Sequence, residues 1–113
     1  MNVWTPEAFQ QDILNQHPLV LVSFSAEWCE PSRLQVPILQ TLRSSYADRA
    51  HIEIFDVDQQ TPLADHWQVR TLPASLLFAK GELVEALAGF QAREYLQEYL
   101  DYLSESLKQT PTT

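Results

Sequence analysis

The sequence has a single cysteine, Cys29, in 113 residues. One cysteine excludes an intrachain disulfide and any multi-cysteine metal site. Histidine offers no substitute. His17, His51 and His66 match no metal-ligand spacing with one another or with Cys29, and read as surface or strand-end residues, so neither metal nor cofactor is expected. Basic side chains are also scarce: 7 Lys and Arg against 15 Asp and Glu leave a formal net charge of −8. Nucleic acid and anionic membranes need clustered Lys and Arg, so neither is expected as a partner, whereas a basic or neutral protein is compatible. No apolar run approaches the ~18 residues of a membrane span. The opening MNVWTPEAFQ has no basic n-region and no apolar run, so no signal peptide is read and a cytoplasmic protein is expected. What the chain has in quantity is apolar residues, at 45%, enough for a core without staples. Its length fits one domain, taken as residues 1–108, with the polar 109–113 as a flexible tail.

The first helix opens at Thr5-Pro6, with Thr5 as N-cap and Pro6 at the first helical position, and stops near His17-Pro18. A short strand at Asn2 to Trp4 is compatible with the pattern before it. Leu19 to Ser25 is a nearly continuous apolar run, as in a strand buried on both faces. A second helix starts near Cys29, with Leu34, Ile38, Leu39 and Leu42 on one face and Pro37 as a kink. Ile52 to Val57 reads as a strand, Thr61-Pro62 as the start of a short helix reaching Trp67. Ala74–Ala79 and Leu83–Ala88 read as a hairpin around Lys80-Gly81. A last helix, Ala92 to Leu107, places Leu96, Leu100, Leu103 and Leu107 on one stripe, with Tyr95, Tyr99 and Tyr102 at its rim. Trp4 and Trp67 read as packing residues. This order predicts an α/β fold: a central mixed β-sheet flanked by helices on both faces.

The segment Ala26-Glu27-Trp28-Cys29-Glu30-Pro31-Ser32 resembles the active-site motif of the thioredoxin family, in which Trp-Cys-Gly-Pro-Cys follows a buried strand and opens a helix. Pro37-Ile38-Leu39 matches a kink proline nine residues beyond Trp28. Val69 to Ala74 resembles the family's cis-proline segment, Lys80-Gly81-Glu82 its hairpin turn, and Gly89 a glycine on the face of the motif. The resemblance spans Val3 to Leu107 and implies the thioredoxin fold and thiol–disulfide exchange. It implies Cys29 as nucleophile, Leu72-Pro73 as the dock for an extended substrate strand, and Trp28, Glu30, Pro31 and Gly89 around it. A thiol at a helix N-terminus is chemically apt, because free N–H groups and the helix dipole favour a thiolate there.

Three departures fall together. Ser32 stands in the resolving-cysteine position, Ser23 where the family carries a buried aspartate, and Ile54 where a lysine pairs with it. In the family these groups serve the second half-reaction; without a resolving thiol an unpaired buried carboxylate only costs stability. Glu30 replaces the usual glycine, and a carboxylate beside Cys29 disfavours the thiolate. Ser25 replaces a common tryptophan, leaving that side of the groove less apolar. A hydrogen bond from Ser32 to the Cys29 sulfur would offset part of this. Cys29 and Ser32 are therefore the expected catalytic pair of a monothiol protein. It forms mixed disulfides with protein thiols or disulfides, isomerises or deglutathionylates them, and needs glutathione or a second thiol protein for release. Autonomous disulfide reduction is expected to be weak or absent, because a tethered thiol outcompetes a free one by ~10⁵-fold or more. The other reading is a redox-inactive thioredoxin-fold binding module that holds a protein partner in the groove around Trp28, Pro31, Leu72 and Pro73. A monomer is expected in either case.

Overall fold

The computed structural model describes residues 3–108. Thr5 caps the first helix, α1 (Pro6–Phe9): the Ala8 N–H donates to Thr5 Oγ1 at 3.1 Å. The chain then widens into a π-helical turn, Gln10–Leu14, closed by the Asn15 N–H donating to the Gln10 carbonyl at 2.8 Å. The expected single helix running to His17 therefore changes its winding at Gln10. Phe9 and Leu14, five residues apart, both lie fully buried in one core, which is the spacing the wider turn satisfies. Val3 and Trp4 form no strand, and Asn2 and the expected flexible tail at 109–113 lie outside the described residues.

The remaining elements follow in order: β1 (Leu19–Ser25), α2 (Glu30–Ser45), β2 (His51–Asp56), α3 (Thr61–His66), β3 (Ala74–Ala79), β4 (Glu82–Ala88) and α4 (Arg93–Lys108). The sheet order is β2-β1-β3-β4, with β1 and β2 parallel and the other two pairs antiparallel. A parallel neighbour needs a crossover, and α2 supplies it. All seven residues of β1 are buried, as its unbroken apolar run requires of a central strand. Alternate side chains of β1 point to two separate cores. Val20, Val22 and Phe24 join Phe9, Leu63 and Phe78 on the α1/α3 side, with Trp4 and Trp67 packed against them. Leu19 and Leu21 join Leu39, Leu42, Leu96 and Leu100 on the α2/α4 side.

The Lys80-Gly81 turn has φ of +51° and +83°, the left-handed pair that a two-residue hairpin turn demands. The turn is fastened to the first helix, where Gln10 Nε2 donates to the Gly81 carbonyl at 2.9 Å. The expected stripe on α2 is out of phase at one position. Leu34 is 59% exposed, while the buried positions are Ser32, Gln35, Leu39 and Leu42. Two polar residues occupy the inward face of the first turns, so counting apolar side chains alone misassigns it. Pro37 lies inside α2, which runs unbroken through it.

Candidate functional site

The chain turns from β1 into α2 at the motif. Cys29 is the N-cap of α2, in extended backbone, and its carbonyl accepts the first helical bond from the Arg33 N–H at 3.1 Å. Glu30 and Pro31 form the first exposed turn; Pro31 has no N–H to leave unpaired there, and the Glu30 carboxylate sits at the positive helix end. Trp28 is 68% exposed, and its indole N–H donates to Asp58 Oδ2 at 3.0 Å, across to the loop after β2. The Asp58 N–H in turn donates to Asp56 Oδ1 at 2.8 Å, which fixes that carboxylate.

Opposite α2 lies the segment before β3, where the Leu72-Pro73 peptide bond is cis. The half-buried Cys29 thiol donates to the Leu72 carbonyl at 3.7 Å, so the sulfur and the backbone before cis-Pro73 face each other directly. The Pro73 carbonyl accepts from the Gly89 N–H at 2.7 Å, which ties the proline segment to the end of β4. Gly89 has φ +84°, a conformation other residues rarely take. Cys29, Leu72, Pro73 and Gly89, distant in sequence, are thus linked by two contacts. Trp28, Glu30 and Pro31 stand at the exposed rim of the same end of the sheet.

Ser32 is placed differently from expectation. Its hydroxyl does not reach the Cys29 sulfur: it is 1% exposed, points inward, and makes no hydrogen bond. Ser23 and Ser75, cross-strand partners on β1 and β3, are fully buried with hydroxyls that also lack a partner. By strand alternation both face the α2 side, as Leu21 and Leu77 do. Ile54 is the β2 partner of Ser23 and packs against that core. Ser23 and Ile54 are therefore partners on the sheet face turned to α2, and Ser32 is on the inward side of α2 itself. A cleft of about 230 Å³ opens beside Ser32, lined also by Ser25, Glu27, Arg33 and Pro37.

Three residues of this region escaped the sequence reading. Gln35 is 0% exposed and clasps the backbone of Gln91: its Nε2 donates to the Gln91 carbonyl at 3.0 Å, and its Oε1 accepts the Gln91 N–H at 2.7 Å. The Gln91 side chain donates to the Ala88 and Gly89 carbonyls, both at 3.3 Å. The helix that carries Cys29 is thereby fastened to the loop that holds Pro73. Leu34 and Phe90, 59% and 45% exposed, add apolar surface on α2 and on that loop. A glutamine at a buried helical position was the available signal for the clasp, and nothing in the periodicity marks the other two. Away from this end, His17 and His51 stack at 4.2 Å and His51 Nε2 lies 3.0 Å from Glu53 Oε2. Among the described residues no group of three or more His, Cys, Asp or Glu is arranged to hold a metal ion.

Comparison with known proteins agrees with this geometry. The thioredoxin family model matches residues 1–102. A thioredoxin of Acidithiobacillus ferridurans is 34% identical over 95 residues, covering 84% of this chain and 88% of that protein. The structure of a point mutant of thioredoxin from Halobacterium salinarum superposes with a TM-score of 0.82 at 30% identity, covering 96% of this chain and 91% of the other. A structure described for the thiol resolving mechanism of yeast mitochondrial 1-Cys peroxiredoxin via glutathione/thioredoxin systems superposes at 0.75 with 26% identity, covering 83% and 86%. No helix among the described residues is long and apolar enough to cross a membrane. With the sheet order, the cis-proline facing the cysteine and a family match running from residue 1 to residue 102, the chain belongs to the thioredoxin family.

Proposed function

We propose that this protein is a monothiol thiol–disulfide exchange protein of the cytoplasm, with Cys29 as its nucleophile and no resolving group of its own. The observation that carries the reading is the Cys29 thiol 3.7 Å from the Leu72 carbonyl beside cis-Pro73, in a chain with no second cysteine. The attacking and docking half of the family's site is present; the releasing half is not. The thiolate of Cys29 displaces one sulfur of a client disulfide. A Cys29–client disulfide forms, and the other client sulfur leaves as a thiolate. A second thiolate, from glutathione, another protein or the client itself, then attacks the mixed disulfide and regenerates Cys29. Release by another thiol of the same client is isomerisation. With a glutathionylated client, Cys29 instead takes the glutathionyl sulfur and the client leaves as a thiolate; a second glutathione then attacks that sulfur, frees Cys29 and departs as glutathione disulfide, which is deglutathionylation. Trp28, Glu30, Pro31, Leu72, Pro73 and Gly89 form the dock, and Ser32 fills the resolving position without acting there.

The exposed apolar rim of Trp28, Leu34 and Phe90 supports a second reading, a docking module that holds a protein partner without turnover. One experiment separates the two. The purified chain is mixed with an activated aromatic disulfide and with a glutathionylated peptide, and adducts at Cys29 are followed by mass. Exchange faster than free cysteine, with a mixed disulfide that persists until glutathione is added, is the expected outcome. Reaction no faster than free cysteine would leave only the docking reading.

A further inference from the structure

One flank of α4, beside β4, carries a feature that thiol chemistry does not use. Tyr95, Glu98, Tyr99 and Tyr102 line an open groove of about 360 Å³. Tyr95 and Tyr102, two helical turns apart, are 44% and 69% exposed. The groove has defined walls. Tyr95 and Tyr99 meet edge to face at 6.1 Å, and the Tyr99 hydroxyl donates to Glu85 Oε2 at 3.0 Å, which fixes that ring against β4. Burial and this carboxylate both raise the Tyr99 phenol above its usual range, so it stays a neutral donor. Glu85 is occupied on both oxygens, since its Oε1 accepts the Ala86 N–H at 3.1 Å. Glu98, exposed within the groove, has no ion pair or hydrogen bond among the described residues.

We propose that this groove is a docking site for arginine side chains on a basic segment of a partner protein. Aromatic faces attract a cation through their quadrupole, and a guanidinium stacks on tyrosine while donating to a free carboxylate. Charge selects the occupant. β4 and α4 together carry six carboxylates against two cations, Arg93 and Lys108. Glu94 lies 3.6 Å from Arg93 and Asp101 3.6 Å from Arg49, and Glu85 is held by Tyr99, while Glu98 in the groove is free among the described residues. A second copy of this chain would bring two such carboxylates together, whereas an arginine-bearing segment complements the one in the groove. β4 is also the terminal strand of the sheet; apart from the Ala86 N–H, which Glu85 holds, its edge is open to an extended segment. The site is separate from Cys29 and does not require its reactivity.

The test is a titration of the full chain with a capped peptide alternating arginine with threonine and valine, read by backbone and tyrosine resonances. Saturable shifts confined to Tyr95, Glu98, Tyr99, Tyr102 and β4 are expected. Affinity should weaken about 2- to 5-fold in Glu98→Gln and again in Tyr102→Ser, and fall with added salt. Both positions are exposed, so neither variant threatens the fold. Cys29→Ala should bind unchanged, which separates this site from the exchange reading. Shifts spread evenly over the acidic surface, equal affinity in Tyr102→Ser, equal affinity for a glutamate-substituted peptide, or a dimer that Tyr102→Ser dissolves would each overturn the proposal.

Discussion

Gln35 is a fully buried polar residue that ties the helix carrying Cys29 to the loop after β4. Its amide makes two hydrogen bonds with one backbone unit, at 2.7 and 3.0 Å, from a fully buried position. Replacing it with leucine keeps the volume close and removes both bonds. Each is worth about 1 kcal/mol net, and the Gln91 N–H and carbonyl are then left in a half-buried site, adding up to about 1–2 kcal/mol more after partial hydration. The expected loss is about 2–4 kcal/mol, or about 8–17 °C in Tm for a domain of this size. Urea unfolding measures it. The loss should be local in its first effects: the amides of Gly89 and Gln91 should exchange hydrogen faster, because the clasp holds the loop that bonds Pro73. Gln35→Glu refines the test. A protonated glutamic acid both donates and accepts, as glutamine does, while the carboxylate would face the Gln91 carbonyl oxygen. A carboxyl held protonated by the fold has its folded pKa above its unfolded value, so stability is gained as pH falls. The deficit of this variant against the natural protein should therefore shrink between about pH 8 and about pH 5. A loss under about 0.5 kcal/mol for Gln35→Leu, or a pH-independent deficit for Gln35→Glu, would refute the clasp.

Ser32→Ala should hold or raise stability by about 1 kcal/mol, since it removes a buried hydroxyl without a partner; a clear loss in thermal unfolding would show that the hydroxyl is bonded. Ser32→Cys should abolish accumulation of the Cys29 mixed disulfide, because a tethered thiol acts at up to ~10⁵ M effective concentration; persistence of the adduct under mass analysis would count against the resolving-position assignment. Gly81→Ala should cost about 1–3 kcal/mol in urea unfolding, because its Cβ would sit 2.9 Å from Asn15 Oδ1 at a φ of +83°, and an unchanged midpoint would mean the turn relaxes freely. His17 is held below its usual 6.5 by burial first and by His51 second, with Glu53 acting in the opposite sense. The unfolded chain then binds more protons just under pH 6.5, so stability rises with pH through that window and is lost as pH falls from 6.5 to the lower folded value. His17→Gln should flatten that slope, with Arg49 and Asp48 in the same cleft unchanged, and an identical slope in both proteins would remove His17 from the explanation.

Much of the fold was legible because its signals are local. The unbroken apolar run of β1, the Thr5 cap, the Lys80-Gly81 turn and the leucine stripe of α4 each follow from a few neighbouring residues. Leu72-Pro73 and Cys29 were legible only through the motif: no local rule says that residues 43 apart in sequence meet at 3.7 Å. What the sequence concealed depends on tertiary partners. The π turn at Gln10–Leu14 is set by the demand that Phe9 and Leu14 share a core. The misplacement of Leu34 has the same origin, since polarity normally marks an outward face and here Ser32 and Gln35 point inward. The Ser32 hydroxyl, expected at the sulfur, turns instead into the protein.

That inward turn changes what the serine substitutions mean together. Had Ser32 bonded the sulfur, it would be a modified catalytic group and Ser23 a separate loss. Instead Ser23 and Ser75 are buried hydroxyls on the sheet face turned to α2, Ser32 is a third on α2 itself, none has a partner, and Ile54 lies beside Ser23 in the β1/β2 register. An ionised aspartate at position 23 would have no lysine at 54 to balance it and no thiol at 32 to deprotonate. On the proposed function, the small neutral residues are what packing permits where no releasing step is needed. The clasp from Gln35 to Gln91 and the bond from Gly89 to Pro73 meanwhile hold Cys29 and the Leu72-Pro73 backbone in register. Selection for stability alone would favour Ala at positions 23, 32 and 75, since each orphan hydroxyl costs about 1–3 kcal/mol. A triple alanine variant that is more stable and exchanges thiols equally well would show these serines to be tolerated. One that is more stable but slower at forming the Cys29 adduct would show that the polar layer under α2 serves the attacking step.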